Sequence, residues 1–253
     1  MTRLLIRTRR HPFRHPLFRL NHRNRPDMQG LLLVDKPAGW TSFDAVNYVR
    51  KLVAQAEGKR PKQVKVGHTG TLDPFATGLL VLLIGKDYTR RAAEFSKLDK
   101  TYEVTMRLGA TSTTGDPEGE ISPVSDKKPT AAELKTALQK FVGTIQQTPP
   151  AYSAIKVNGQ RAYKLARAGK EVKIEPRQIK INSLKLTDYN YPEATFTADV
   201  SSGTYIRTLV EDLGQTLAAG AYTSALRRLK VGEFNIDNAQ PVKGLQVSTL
   251  GLG

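Results

Sequence analysis

Gly67-His68-Thr69-Gly70-Thr71-Leu72-Asp73-Pro74-Phe75-Ala76-Thr77-Gly78 runs directly into the apolar stretch Leu79-Leu80-Val81-Leu82-Leu83-Ile84. The apolar run is short and continuous, which predicts a buried strand. The polar part before it carries one carboxylate, Asp73. Its three glycines permit sharp or close-packed backbone, and Pro74 biases Asp73 toward an extended conformation. A short acidic side chain is thus held on a constrained loop against the core. Most glycine loops are only turns, and composition alone leaves that plainer reading open.

Working outward, Gly30–Val34 reads as another short buried strand. Thr41 and Asp44 form a capping box for a helix over residues 42–56, with Phe43, Val46, Val49 and Val53 at helical spacing. A basic loop, Gly58–Lys65, then leads into the quoted stretch; basic loops are most often simply solvated. Beyond it, residues 87–97 are weakly helical. Residues 100–108 alternate cleanly, with Tyr102, Val104, Met106 and Leu108 on one face of a half-buried strand. Gly109–Lys128 reads as a loop. Thr130 and Glu133 cap a further helix. Strands are expected near 177–188 and 194–201, a helix over 204–217, and a final short basic helix holding Leu226, Arg227 and Arg228. The segment Gly143–Gly169 interleaves Tyr152, Lys156, Arg161, Tyr163 and Lys164. It reads equally as a segment suited to phosphate contacts and base stacking or as an ordinary hairpin turning at Asn158-Gly159 into a short helix. The pattern suggests an α+β fold with a mixed, mostly antiparallel sheet and flanking helices.

The chain has 253 residues and a formal net charge of +16, which favours acidic partners, nucleic acid first and a membrane surface second. Residues 1–27 hold eight arginines and one acid, Asp27, a net +7; the rest is still basic at +9. That leader, with His11, His15 and His22, has no sustained apolar period and reads as disordered. Three readings of it stand open: an organelle transit peptide, an RNA-binding arm, or a gene-start artefact with Met28 as the true start. With no cysteine, neither a disulfide framework nor a thiolate metal site is available. No apolar run approaches a membrane span.

Several chemistries are set aside. Gly78–Lys86 lacks the spacing of a phosphate loop, and Asp87 stands where Ser or Thr is required. His68 is the only histidine outside the leader, too little for a zinc site. There is no Gly-x-Ser-x-Gly elbow, and Asp73 has no acidic companion nearby in sequence. On chemistry alone no reaction follows.

Four motifs in register change this. Leu33-Val34-Asp35-Lys36-Pro37-x-Gly39, the Gly67–Gly78 stretch, Lys100-x-Tyr102 and Gly203-Thr204-Tyr205-Ile206-Arg207 resemble, in order and spacing, the bacterial tRNA pseudouridine-55 synthases of the TruB family. The resemblance implies isomerisation of one T-loop uridine of tRNA, with no cofactor and no metal. It implies Asp73 as the catalytic carboxylate, Arg207 as its partner keeping it ionised, and Tyr102 stacking on the base and taking or relaying a proton. His68 would contact the opened RNA loop, Tyr205 and Leu226 would line the uracil pocket, and Lys36 and Pro37 would support the Asp73 loop. Residues 146–172 match the family's mobile RNA-gripping loop, with Lys156, Arg161 and Lys164 as its contacts. The implied organisation is a leader over 1–28, a catalytic domain over 29–245 and a tail over 246–253, without a complete C-terminal RNA-binding domain. The expected partner is the tRNA T-arm, with no membrane and no guide RNA, and the protein is expected to act as a cytoplasmic monomer.

Overall fold

The computed structural model describes residues 27–157, 159–170 and 172–250. The expectations for the arginine-rich leader and for Asn158 fall outside these residues. Strand β1 (Gly30–Lys36) leads into helix α1 (Ser42–Glu57). Strand β2 (Val66–His68) precedes the Asp73 loop and β3 (Thr77–Ile84) follows it. Two short helices, α2 (Lys86–Arg90) and α3 (Ala92–Ser96), lead to β4 (Lys100–Leu108). A hairpin of β5 (Ala110–Ser112) and β6 (Ile121–Pro123) leads to α4 (Ala131–Lys140) and β7 (Gly143–Gln147). A second small hairpin, β8 (Lys156–Val157) and β9 (Gln160–Arg161), runs into α5 (Ala162–Arg167). Strands β10 (Arg177–Asn190) and β11 (Glu193–Val200), helix α6 (Ile206–Thr216) and β12 (Ala221–Val231) follow, then the short β13 (Phe234–Asn235) and β14 (Gln240–Pro241).

The main sheet has the order β14-β1-β3-β12-β4-β11-β10-β7, with β2 on β3 and β13 on β12. Only the β1–β14 and β3–β12 pairs are parallel, so the sheet is mixed and mostly antiparallel, as the sequence pattern suggests. The continuous apolar run of β3 is explained by layers on both sides. Leu80, Leu82 and Ile84 pack into the larger core with Val46, Val49 and Val53 of α1. Leu79, Val81 and Leu83 pack into a smaller cluster with Leu31, Leu33 and Phe95. β4 is covered on one side only: Tyr102, Val104, Met106 and Leu108 are buried while Glu103 and Arg107 are exposed, matching its alternation. Both capping boxes form, Thr41 with Asp44 and Thr130 with Glu133. α1 stops at Gly58, whose positive φ of 64° suits a left-handed C-cap. Among the described residues, no helix is long and apolar enough to cross a membrane.

Two expected elements are overturned: the stretch read as a loop over 109–128 holds the β5–β6 hairpin, and the final short basic helix is a strand. Leu226, Arg227 and Arg228 belong to strand β12, in the middle of the sheet, paired with β4 and β3. The basic residues suggested a surface helix. The tertiary position decides otherwise, because each arginine finds polar partners within the sheet. Arg227 forks onto the Asp35 carboxylate at 2.7 and 3.1 Å. Arg228 is 1% exposed and donates from Nε to the Leu79 carbonyl at 2.7 Å.

This strand also shapes the Asp73 loop. The far edge of β3 is shared: β12 pairs with its start at Thr77 and Gly78, and β2 with its end at Leu82–Ile84. The two neighbours diverge between these points, leaving the Leu79 carbonyl without a strand partner on that side. The Arg228 guanidinium fills the opening, and its Nη2 also holds the Gly70 carbonyl of the loop at 3.1 Å. Gly78 is required here: a Cβ would lie 2.3 Å from the Arg228 carbonyl oxygen, and φ is +102°.

Candidate active site

The Asp73 loop is pinned at several points before any reacting group is considered. Ser42 Oγ accepts from Leu72 N at 2.8 Å and donates to Leu72 O at 3.1 Å. Leu72 and Ala76 on either side of Asp73 are buried. Gly39 N donates to Pro74 O at 2.8 Å. Lys36 is fully buried, and its ammonium donates to the carbonyls of Pro37, Trp40 and Pro74 at 2.9, 2.6 and 3.3 Å. All three ammonium protons are thereby used. Burial lowers the Lys36 pKa to about 8, with Asp73 opposing and Arg228 adding to the fall. Lys36 thus acts as a scaffold of the loop, the role the sequence motif implied for it.

Arg207 stands at the start of α6, the helix placed by Gln147. The Gln147 side chain is 2% exposed; its Nε2 donates to Tyr205 O at 3.0 Å and its Oε1 accepts from Tyr205 N at 2.8 Å. Arg207 is then engaged through all three of its nitrogens. Nε and Nη2 clamp Asp73 at 3.0 and 3.4 Å; Nη1 reaches Thr114 O at 2.8 Å and Asp116 at 3.3 Å; Nη2 also reaches Tyr152 O at 2.8 Å. Three hydrogen bonds and two ion-pair contacts thus converge on one planar guanidinium.

Sequence reasoning brought Asp73 and Arg207 together correctly but missed two partners. Gln147 had no local signal. Asp116 sits in Gly115-Asp116-Pro117-Glu118-Gly119, which reads as a turn. In the fold it is 3% exposed, accepts from Thr114 Oγ1 at 2.6 Å and Glu118 N at 3.0 Å, and shares Arg207 with Asp73. The acidic companion that Asp73 lacks in sequence is supplied by folding.

That sharing alters the electrostatics. Burial pushes the Asp73 carboxyl above its usual value of 3.8; Arg207 pulls it down, and Asp116 pushes it up again. The sequence implied that Arg207 would keep Asp73 ionised. Arg207 does act in that direction, but the net shift is upward, because desolvation is the largest effect and one guanidinium serves two carboxylates. The carboxylate is still reachable: the Asp73 side chain is 33% exposed, against 5% for Arg207. One buried cation thus presents one face of a carboxyl group to a ligand.

The other predicted residues fall around this pair or away from it. Tyr102, 8% exposed on β4, lies in register with Arg228 of β12, whose side chain holds the Asp73 loop. Leu226, 7% exposed, lies opposite Val104. Tyr205 caps the start of α6 beside Arg207, and burial pushes its phenol up. His68 ends β2 just before the loop; its Nδ1 is buried without a hydrogen-bond partner, and burial, helped by Arg228, pushes its pKa down. Lys156, Arg161 and Lys164 are exposed and belong to the β8–β9 hairpin and α5. This segment has the hairpin-and-helix form that was one of its two sequence readings. It is tied to the site through the Arg207 contact with Tyr152 O.

Comparison with known proteins assigns this architecture. The family model described as TruB family pseudouridylate synthase (N terminal domain) matches residues 58–206, and the tRNA pseudouridylate synthase B C-terminal domain matches residues 207–250. Among solved structures, a Cbf5-Nop10-Gar1 complex aligns at TM-score 0.62 and 26% identity, over 83% of this chain and 51% of that one. An H/ACA RNP bound to a substrate RNA containing 2′-deoxyuridine aligns at TM-score 0.57 and 23% identity, over 81% and 48%. The chain spans about half the length of these two. Fold and site therefore define a pseudouridine synthase, an isomerase. The tRNA pseudouridine synthase B of Burkholderia mallei is 43% identical over 88% of this chain and 70% of its own length; that of Pseudomonas aeruginosa is 45% identical over 88% and 71%. The chain belongs to the TruB family. The boundary between the two family models falls between Ile206 and Arg207, so Asp73 and its arginine come from different segments of one continuous sheet-and-helix unit.

Proposed function

We propose that this enzyme converts uridine 55 in the T-loop of tRNA to pseudouridine, with Asp73 as the reacting carboxylate. The observation that carries the reading is the two-point clamp of Arg207 on a partly exposed Asp73, in a chain of the TruB family. The target base leaves its stack, at a cost of a few kcal/mol. The N1–C1′ bond breaks, the base turns, and a C5–C1′ bond forms. C5 loses a proton and N1 gains one, so the reaction balances without a co-reactant. A carboxylate serves as nucleophile toward C1′ or the ring, or as the stabiliser of positive charge at C1′ on a glycal route. Tyr102 stacks on the base and takes or relays the C5 proton. Tyr205 and Leu226 bound the uracil pocket, and His68, held neutral by burial, stacks at the rim of the opened loop. The direct test is to map the product formed on a T-arm stem-loop. Pseudouridine is expected at position 55 alone; product elsewhere, or binding with no product, would sink the assignment.

Two further outcomes follow from the geometry. If Asp73 reacts as a carboxylate, kcat/KM rises with pH as Asp73 ionises, along an acid limb lying above the ordinary aspartate position of 3.8. Asp116→Asn removes a like charge and leaves Arg207 to Asp73, so this limb is expected to move to lower pH. A limb that stays in place or moves up refutes the shared-arginine account. The same sign governs stability. The folded state binds the Asp73 proton more tightly than the unfolded chain, so this group's contribution declines as the pH rises from 3.8 through the raised value.

Residues 146–172 are assigned to gripping the T-arm through Lys156, Arg161 and Lys164. Arg161→Ala with Lys164→Ala is expected to weaken RNA binding and make its salt dependence shallower by about 1.4 to 1.8 in log–log slope. An unchanged slope would remove these side chains from the phosphate contacts.

A further inference from the structure

The basic loop between α1 and β2 has no part in the site described above. Its cations divide into two kinds. Lys59 is neutralised, donating to Asp27 and pairing with Glu57 at 3.1 Å. Lys62 and Lys65 are exposed and form no ion pair among the described residues. They face Arg50 and Lys51 of α1 across a groove of about 380 Å³ floored by Val64 and Val66. Four cations line this groove and no carboxylate does.

Arg50 is held in place there. Its Nη1 donates to Asn47 Oδ1 at 2.7 Å and its Nη2 to Val66 O at 3.3 Å. The guanidinium lies 5.9 Å from the ring centroid of Phe43, which is 61% exposed. A fixed, unpaired cation beside an exposed aromatic ring suits a nucleic-acid strand, since phosphates meet the charges and a base meets the ring. A folded chain also gains little by gathering like charges in one cleft unless an anion relieves their repulsion.

The position selects the anion. β2 begins at Val66, immediately after Lys65, and ends at His68. At about 3.3 Å per residue, Lys65 stands roughly 10 Å from the rim of the Asp73 loop. We propose that this groove binds the phosphodiester backbone of the substrate RNA beside the flipped nucleotide, with Phe43 as a stacking surface. The proposal rests on the RNA-isomerase reading above and adds a contact from a loop separate in sequence from the β8–α5 arm.

The test uses the full chain and a tRNA transcript, with affinity measured across a range of salt. Lys51 and Lys62 are exposed, so Lys51→Gln with Lys62→Gln leaves the fold intact, which circular dichroism checks. The double variant is expected to bind more weakly, with a log–log salt slope shallower by about 1.4 to 1.8, for two lost phosphate contacts. Lys59→Gln removes one charge from the same loop outside the groove and is expected to leave the slope unchanged. A wild-type slope in the double variant would overturn the proposal, and so would an equal per-charge change in Lys59→Gln, which would reduce the effect to net charge. Either result with normal pseudouridine formation leaves the enzyme reading standing. Absence of pseudouridine from the wild type would instead count against that reading.

Discussion

Asp73→Asn is expected to lower pseudouridine formation by about 10³-fold or more, within or beyond the range that one positioned reacting group supplies. The amide is nearly the same size as the carboxyl, so the loop should keep its fastenings to Ser42, Gly39 and Lys36. What is lost is the negative charge, and with it the proposed capacity to act as nucleophile or as stabiliser of positive charge. RNA affinity should change little, because the cations proposed to meet the phosphates lie elsewhere. Single-turnover conversion of a T-arm stem-loop, measured beside equilibrium binding of the same RNA, separates these effects. Turnover within tenfold of wild type would show that Asp73 is not the reacting group. A parallel collapse of binding would show that the substitution had disturbed the loop rather than the chemistry.

Arg207→Ala should cost both stability and activity. The guanidinium is 5% exposed and Asp116 beneath it is 4% exposed. Removing the cation leaves a buried carboxylate without its charge partner and strips the Thr114 and Tyr152 carbonyls of a donor. Breaking a buried pair from one side costs about 3 to 5 kcal/mol. Denaturant unfolding should therefore shift by that amount, and turnover should fall because Asp73 is no longer aimed. Adding Asp116→Asn to Arg207→Ala should recover part of the stability without recovering turnover, since it removes the stranded charge but not the need to hold Asp73. Two losses that simply add would argue against a shared network. Arg207→Lys keeps the charge but loses the planar fork that reaches Asp73, Asp116 and two carbonyls at once, so it should unfold less readily than the alanine variant while remaining poorly active.

Parts of this network were legible in the chain before folding. Periodicity reads local burial, and it located β1, β3, β4 and the helices α1, α4 and α6 because each buries one continuous face or a whole short run. Capping boxes located two helix starts because the hydrogen bonds are made within four residues. Periodicity failed at β12. The arginines of that strand are satisfied by Asp35, Leu79 O and Gly70 O, 149 to 192 residues away in sequence. No local rule can see such partners. Asp116 and Gln147 were illegible for the same reason: one looks like a turn acid and the other like any polar residue, until Arg207 and the start of α6 arrive beside them.

By itself, then, the sequence determined that a carboxylate would sit on a glycine-bounded loop ahead of a buried strand. The resemblance of its motifs to the TruB family further implied an arginine at a distant helix start as its partner. These depend on short-range backbone preferences and on the order of motifs along the chain. Tertiary structure alone decided that one guanidinium is divided between Asp73 and Asp116, so that burial rather than ion pairing sets the direction of the Asp73 pKa. It also decided that the loop hangs from a buried Arg228 where β2 and β12 part along β3. Desolvation and the sharing of one donor among several acceptors are properties of a packed interior, and they arise only when segments far apart in the chain close around the same atoms.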